Sequence, residues 1–269
     1  MIAPDVVQKI RLSTCAVLYM PVKHEEAFHG AKPGDKGPPI ETRVSATGFL
    51  VQDDLVLTNR HVIEAIYQDH QAKGHHDHWY IRFTYPEGQD GWSETTKRIK
   101  KCFALVDPTG GGALDVGLLS FVRNSGELEE CQPVDFGELE SIAAGNDIAI
   151  CGFPDGNELL VNVRLGVYRF GPVVHQGIIS AIAPYDEVDQ RLITMFLTDL
   201  NSAKGMSGSP VFLPSNGRVI GLHYAGSRGT LGCALPIDQK KVGDWISIFN
   251  RVINGPQGLH ELSILQGGT

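Results

Sequence analysis

Residues 47–64, TGFLVQDDLVLTNRHVIE, contain two short apolar runs around a polar turn at residues 52–54. Two such runs joined by a short polar turn predict an antiparallel β-hairpin. The second run ends at Thr58, and the apolar spacing of VIEAIYQ after it is helical. We therefore predict that His61 lies where a strand passes into a helix, a rigid position with one exposed side that suits a general base.

Similar runs recur along the chain between glycine, proline and Asx turns, and they predict an all-β sandwich or barrel. These runs are TRVSATGFLV, LVLTN, HWYIRFTY, ALDVGLLSFV, DIAICGF, RLITMFLTDL and RVIGLHYAG. A polar stretch at residues 122–141 divides them into two sets and is the predicted linker. Near the end, Asp238 is positioned to cap a helix. One face of that helix is apolar and should pack on the body: Val242, Trp245, Ile246, Phe249, Val252 and Ile253.

The composition excludes several classes of protein. The 269 residues are 42% hydrophobic and carry a formal net charge of −8, which argues against a nucleic-acid surface. No apolar run is long enough to span a bilayer, and the first residues, MIAPDVVQKIRLSTC, lack a basic region followed by an apolar stretch. We therefore expect a cytoplasmic protein with no membrane partner.

The cysteines and histidines do not suggest a cofactor. The five cysteines are scattered, form no CxxC pair and are expected to be buried reduced thiols: Cys15, Cys102, Cys131, Cys151 and Cys233. Four histidines fall in the polar segment after the first predicted helix: His70, His75, His76 and His78. Because histidines in a polar surface loop are usually solvated, no metal or other cofactor is expected.

Ser207 lies in a glycine-rich turn, AKGMSGSPVF, at residues 203–212. Gly205 and Gly208 permit a backbone turn that residues with a Cβ would resist. Such a turn can direct the N–H groups of Gly205 and Ser207 into one small space, where they could stabilise an oxyanion. A serine there would be a nucleophile if an imidazole took its proton.

Asp115 supplies the third group that this chemistry needs. It stands in GGALDVGLLSF, among apolar residues of a predicted strand, where an unpaired carboxylate would be costly. An imidazole N–H would satisfy it and hold the imidazole in one tautomer. His61, Asp115 and Ser207 are therefore the candidate catalytic residues.

The order of TNRHV, LDVGLLSF, GMSGSPVF and IGLHYAG resembles the trypsin-like (chymotrypsin-fold) serine peptidases, and most of all the glutamyl endopeptidases and picornavirus-type processing proteases. The resemblance implies two antiparallel six-stranded β-barrels and a C-terminal helix. It implies His61 as general base, Asp115 as its orienting partner and Ser207 as nucleophile. The implied domains are an N-terminal barrel at residues 1–125, a C-terminal barrel at 126–236, and a helix and tail at 237–269.

The chain departs from the digestive members of that family. Those members mature by pairing a new N-terminus with an aspartate just before the serine, and Met206 stands there in this chain. Activity is therefore expected not to depend on that ion pair. The cysteine positions lack the disulfide beside the catalytic histidine, which agrees with a reducing compartment. Ser209 replaces the commoner glycine, as in glutamyl endopeptidases.

The resemblance also implies a specificity pocket. Asn201 falls where trypsin has its aspartate, whereas Ser202 and His223 fall where the Glu- and Gln-specific enzymes bind the substrate side chain. A hydroxyl and an imidazole could donate hydrogen bonds to Glu or Gln. Gly226 would line the groove and let the peptide pair as an added strand. The alternative for His223 is a satisfied core histidine of a β-strand.

The leading hypothesis is an intracellular serine endopeptidase acting on protein or peptide substrates. Two alternatives stay open: an HtrA-like quality-control protease, and a catalytically silent member that binds peptides. An α/β-hydrolase is disfavoured, because Ser209 breaks Gly-x-Ser-x-Gly and the order of the three residues is wrong. The sequence does not decide whether an activating protein partner is needed. It also leaves open self-cleavage in the tail, at Gln257, Glu261 or Gln266.

Overall fold

The computed structural model of the protein describes most of the chain in separate ranges. They are residues 2–20, 43–73, 78–87, 91–105, 114–154, 161–163, 166–168, 171–183, 194–200, 202–226, 231–253 and 263–264. Asn201, His75, His76 and the tail residues Gln257, Glu261 and Gln266 lie outside the described residues, as does the side chain of His70.

Six antiparallel strands form the first barrel. They are β1 (Thr14–Tyr19), β2 (Arg43–Gln52), β3 (Leu55–Thr58), β4 (Trp79–Glu87), β5 (Gly91–Ala104) and β6 (Gly117–Phe121). Their order is β5-β4-β1-β2-β3-β6, and pairing of β5 with β6 closes the ring. The predicted hairpin is β2–β3, with Gln52 paired to Leu55 across the turn.

Six further strands form the second barrel. They are β7 (Asp147–Gly152), β10 (Val173–Ala183), β11 (Met195–Thr198), β12 (Pro210–Phe212), β13 (Val219–Gly226) and β14 (Gly232–Pro236). Their order around the barrel is β10-β11-β14-β13-β12-β7. A separate hairpin joins β8 (Val161–Val163) to β9 (Gly166–Tyr168), and β15 (Ser263–Ile264) adds to β5 in parallel. The predicted fold class, two antiparallel six-stranded β-barrels with a C-terminal helix, is confirmed.

The strand sequences are apolar on both faces because both faces are buried. On β2, Leu50 packs in the core of the first barrel, whereas Phe49 and Val51 belong to a cluster that joins the two barrels. On β3, Val56 points into the barrel core and Leu57 joins the shared cluster. Successive side chains of a strand point to opposite faces, so an alternating polar pattern would leave one of these layers unfilled.

Three helices pack around the barrels in the described part of the chain: α1 (Pro4–Ser13), α2 (Arg60–Lys73) and α3 (Gln239–Ile253). The predicted α3 has its cap, because the Lys241 N–H donates to Asp238 Oδ1 at 2.8 Å. Helix α1, which has no predicted counterpart, buries Ile10 in the shared cluster. None of the described helices combines the length and the apolar character needed to cross a membrane.

Candidate active site

His61 and Asp115 form a pair held by two hydrogen bonds. The Nδ1 atom of His61 lies 2.8 Å from Asp115 Oδ2, and the His61 backbone N–H donates to Asp115 Oδ1 at 2.9 Å. His61 is the second residue of α2, so this N–H is one of those left without a partner in the first turn of the helix. One carboxylate therefore both caps α2 and orients the imidazole of its second residue.

The sequence predicted Asp115 within a strand. In the structure it lies outside the strand and precedes β6 by two residues. Its side chain is 26% exposed and that of His61 is 45% exposed. The fully buried side chain of Asn59 fixes the backbone at Asp115, because its Nδ2 donates to the Asp115 carbonyl at 2.9 Å. Gly117 allows this close approach, because a Cβ there would lie 2.8 Å from the Asn59 carbonyl oxygen.

The turn around Ser207 is held by backbone hydrogen bonds on both sides. The Met206 N–H donates to the Ala203 carbonyl at 3.1 Å, and the Ser209 N–H donates to the Met206 carbonyl at 3.0 Å. The Gly208 N–H donates to the His223 carbonyl at 2.9 Å. The turn is thus tied to β13 and has a defined backbone conformation.

Both glycines of the turn adopt conformations that favour glycine. Gly205 has φ 92° and Gly208 has φ 86°. A Cβ on Gly208 would lie 2.0 Å from the Thr47 carbonyl oxygen and 2.5 Å from Thr58 Oγ1. Since Thr58 precedes His61 by three residues, the turn lies directly against the hairpin that leads to this histidine.

Two N–H groups between Gly205 and Ser209 make no hydrogen bond to the described residues. Within the described ranges, neither the Gly205 N–H nor the Ser207 N–H donates to any protein acceptor, whereas Met206, Gly208 and Ser209 all do. The Ser207 hydroxyl likewise makes no hydrogen bond to a described residue, His61 included. The residues expected to stabilise an oxyanion are therefore the two whose donors are unused.

Met206 and Ser209 point away from this open side. Met206 is 3% exposed and packs in the core of the second barrel. Ser209 is fully buried beside Gly152. A Cβ on Gly152 would lie 2.1 Å from Ser209 Oγ. An apolar side chain therefore anchors the turn at the position before Ser207.

His223 and Ser202 form a second, buried pair. His223 is 1% exposed, Ser202 is 7% exposed, and 2.9 Å separates His223 Nε2 from Ser202 Oγ. Burial lowers the pKa of His223 from 6.5 to about 4, so its imidazole is neutral at neutral pH. The Nδ1 atom of His223 has no hydrogen-bond partner among the described residues. His223 is thus buried like a core histidine, yet it is not fully satisfied.

Small residues surround this pair. A Cβ on Gly226 would lie 2.4 Å from Ser202 Cβ, and one on Gly232 would lie 3.2 Å from His223 Cε1. The hydroxyl of Thr198 is also buried near Gly232 without a partner in the described ranges. The structure therefore brings Ser202, His223 and Gly226 together, with Thr198 beside them.

Tyr224 follows His223 on β13. Its hydroxyl donates to Met195 Sδ at 3.0 Å. The pKa of Tyr224 is raised, first by burial and then by the neighbouring Cys233 and by the negative charge of Asp115. The phenol therefore lies close enough to Asp115 to sense its charge.

The described residues do not bring together three or more potential metal ligands of the His, Cys, Asp or Glu type. Of the four histidines considered for metal binding, His78 has its Nδ1 2.8 Å from the Met20 carbonyl oxygen. All five cysteines are free thiols; four are buried and Cys233 is half-buried. Burial raises the pKa of the Cys131 thiol to about 11.

Three residues near the site had no role assigned from the sequence: Thr47, Asn59 and Thr198. Thr47 contacts a turn 158 residues away, so no local pattern reveals it. Asn59 precedes the candidate catalytic His61 by two residues, and this proximity is the sequence feature that could have identified it.

Comparison with known proteins gives one sequence family and many similar folds. The family described as "Trypsin-like peptidase domain" matches residues 46–222. No curated protein sequence matches the chain. The crystal structure of Deg5 is 16% identical with a TM-score of 0.53, and 93% of each chain is covered.

Two further solved structures share the fold. The HtrA-type protease AlgW, solved with a decapeptide, is 18% identical with a TM-score of 0.54; 94% of this chain and 67% of that chain are covered. An inactive form of Rv3671c from M. tuberculosis H37Rv is 15% identical with a TM-score of 0.50; 93% of this chain and 95% of that chain are covered. At these identities the likeness shows the fold alone.

Proposed function

Because the chain belongs to the trypsin-like peptidase domain family, we propose that it is a serine endopeptidase with His61, Asp115 and Ser207 as its catalytic residues. The observation that supports this most is the two-point contact of Asp115 with His61. It gives the imidazole one tautomer, with the proton on Nδ1 and a free lone pair on Nε2. That lone pair is what a serine nucleophile needs as its base.

The proposed reaction proceeds through an acyl-enzyme. Ser207 Oγ attacks the scissile carbonyl while its proton passes to His61 Nε2, and the carbonyl electron pair moves onto oxygen. The unused N–H groups of Gly205 and Ser207 donate to that oxyanion. His61 then protonates the leaving amine, and water, deprotonated by the same imidazole, hydrolyses the ester to release the acid product.

The proposed preference is for Glu or Gln before the scissile bond. Ser202 and His223 supply a hydroxyl and a neutral imidazole in a buried setting. The unsatisfied state of His223 supports this proposal, because a buried polar group without a partner gains free energy when a ligand supplies one. Gly226 leaves space beside Ser202 that a side chain would fill. A site of this kind discriminates strongly against side chains that lack the matching group.

An HtrA-like quality-control protease is the second candidate. It is favoured by the HtrA-type protease AlgW, which shares the fold and was solved with a decapeptide. The substrate would again be a peptide or protein, and an activating protein partner is part of this proposal. The five free thiols support a reducing compartment, so the cytoplasm is the proposed location for either candidate.

The test is labelling with a fluorophosphonate followed by cleavage profiling on a peptide library. The wild type should be labelled and Ser207→Ala should not be, whereas Ser215→Ala, which removes an exposed hydroxyl on the turn before β13, should be labelled like the wild type. Cleavage should occur after Glu or Gln. An unlabelled, folded wild type would favour the silent peptide-binding alternative, and cleavage after Lys, Phe or Val would contradict the proposed preference.

A further inference from the structure

Thr47, on β2 of the first barrel, contacts the Ser207 turn of the second barrel at two carbonyl groups. Its backbone N–H donates to the Ser207 carbonyl at 2.8 Å, and its Oγ1 donates to the Gly205 carbonyl at 2.7 Å. The residue is fully buried. Its Oγ1 also accepts from the Phe153 N–H at 3.1 Å, and its carbonyl accepts from Thr58 Oγ1 at 2.8 Å. Every polar group of Thr47 is therefore engaged.

These contacts fix two peptide planes, one on each side of Ser207. The Gly205–Met206 peptide is held at its carbonyl by Thr47 and at its N–H by Ala203. The Ser207–Gly208 peptide is held at its carbonyl by Thr47 and at its N–H by the His223 carbonyl. Because a peptide unit is planar, bonds at both ends leave it little freedom to rotate.

The peptide between these two planes contains the Ser207 N–H. Its carbonyl, that of Met206, accepts from the Ser209 N–H, which leaves the Ser207 N–H directed to the open side of the turn. Gly205 holds the conformation with φ 92° that leaves its own N–H unused. Met206 is apolar and buried, so its side chain provides no polar restraint for this arrangement.

We infer that Thr47 is a positioning residue whose hydroxyl holds the Gly205 and Ser207 N–H groups ready for the oxyanion. The inference rests on the proposed function and adds to it a contribution of the first barrel to the electrophilic side of the site. Thr47 acts through the turn and does not contact substrate. Catalysis by such donors depends on their being oriented before charge develops, so loosening the turn should slow the chemical step more than substrate binding.

The experiment compares Thr47→Val with Thr47→Ser. Valine keeps the shape and the backbone N–H of Thr47 but removes the hydroxyl that donates to the Gly205 carbonyl and accepts from the Phe153 N–H, whereas serine keeps that hydroxyl. Thr14→Val is the matched control, because Thr14 is also fully buried and its Oγ1 donates to the Ile10 carbonyl at 2.7 Å, at the junction of α1 and β1. All variants are made in the full chain and assayed on one peptide substrate.

Thr47→Val should lower kcat about 10²-fold with KM within about threefold of wild type, and Thr47→Ser should restore most of kcat. A peptide aldehyde gives a second readout: it adds to Ser207 Oγ as a hemiacetal whose oxygen occupies the oxyanion position. Its affinity should fall in parallel with kcat in Thr47→Val and stay unchanged in Thr14→Val. Binding of the cleaved product peptide, measured by calorimetry, should not change in any variant.

Several outcomes would overturn the inference. A folded Thr47→Val that keeps kcat and aldehyde affinity within about threefold of wild type would do so, as would equal losses in Thr47→Val and Thr14→Val. If Thr47→Val does not fold, Thr47→Cys replaces it as the weaker donor, and equal kcat in the Cys and Ser variants then contradicts the inference. A wild type that neither cleaves peptide nor reacts with fluorophosphonate overturns the proposed function, and the inference with it.

Discussion

The first barrel presents a histidine at its surface, whereas the second barrel buries one. The His61 side chain is 45% exposed, and its Nδ1 faces the Asp115 carboxylate at 2.8 Å. His223 is 1% exposed, and its nearest polar partner is the neutral hydroxyl of Ser202 at 2.9 Å. The two imidazoles differ in their exposure to solvent and in whether a negative charge lies beside them.

Exposure and counter-charge decide which chemistry each imidazole can perform. An imidazole beside a carboxylate can accept a proton, because the resulting charge is paired. A buried imidazole without a counter-charge resists protonation, and burial lowers the pKa of His223 to about 4 accordingly. His61 is therefore suited to moving protons and His223 to recognising a polar group by hydrogen bonds.

The largest expected effect comes from removing the counter-charge of His61. Asp115→Asn keeps the size of the side chain, but its amide can donate to Nδ1 and would stabilise the tautomer protonated on Nε2, which cannot act as base. We expect kcat for peptide cleavage to fall on the order of 10³–10⁴-fold, with KM little changed. Steady-state kinetics on the purified protein measure this.

Asp147→Asn is the control for the loss of a carboxylate, because Asp147 is exposed at the start of β7. It should keep the wild-type kcat. If Asp115→Asn, shown to be folded by its melting curve, kept kcat within about tenfold of wild type, the pairing of Asp115 with His61 would not be what activates Ser207.

A second prediction concerns the stability of the buried imidazole in acid. The folded state holds the pKa of His223 near 4, below the 6.5 of an ordinary histidine, so the unfolded chain binds the proton more readily between these values. This contribution to stability is complete above pH 6.5 and is lost as the pH falls towards 4. The free energy of unfolding should fall by about 3 kcal/mol over this range. Urea unfolding at several pH values measures the free energy of unfolding.

His223→Leu should remove this part of the pH dependence, because leucine does not titrate. His175→Leu, at a histidine exposed on β10, is the control for replacing an imidazole by leucine. Parallel curves for wild type and His223→Leu between pH 4 and pH 6.5 would show that His223 is not held neutral by the fold.

Much of the fold was predictable from local patterns. The apolar runs, the hairpin turn after Gln52 and the Asp238 cap of α3 each depend on residues close in sequence. Helix α1 was missed because its N-cap residue, Ala3, makes no side-chain cap bond. Its signals were Pro4 at the first helical position and the spacing of Val6 and Ile10, which are weak in a segment of this length.

The candidate site was predictable in its parts but not in its environments. Motifs identified His61, Asp115 and Ser207, but the exposure of Asp115 and the burial of His223 depend on which strands pack together. The contact of Thr47 with Gly205 depends on how one barrel is placed against the other. Hydrophobic periodicity specifies which face of a strand is buried, not which distant loop it meets.

The smallest expected effect concerns the hydroxyl beside His223. Ser202→Ala removes the only polar partner of His223 Nε2 in the described part of the chain, and with it one donor for the substrate side chain. One neutral hydrogen bond contributes about 1 kcal/mol, so kcat/KM for peptides with Glu or Gln before the cleaved bond should fall about fivefold. Peptides with alanine there should be cleaved as slowly as by the wild type.

Ser247→Ala, on the exposed face of α3, should change neither rate. Equal losses for the two kinds of peptide would mean that Ser202 supports the fold of the pocket and does not select the side chain that enters it.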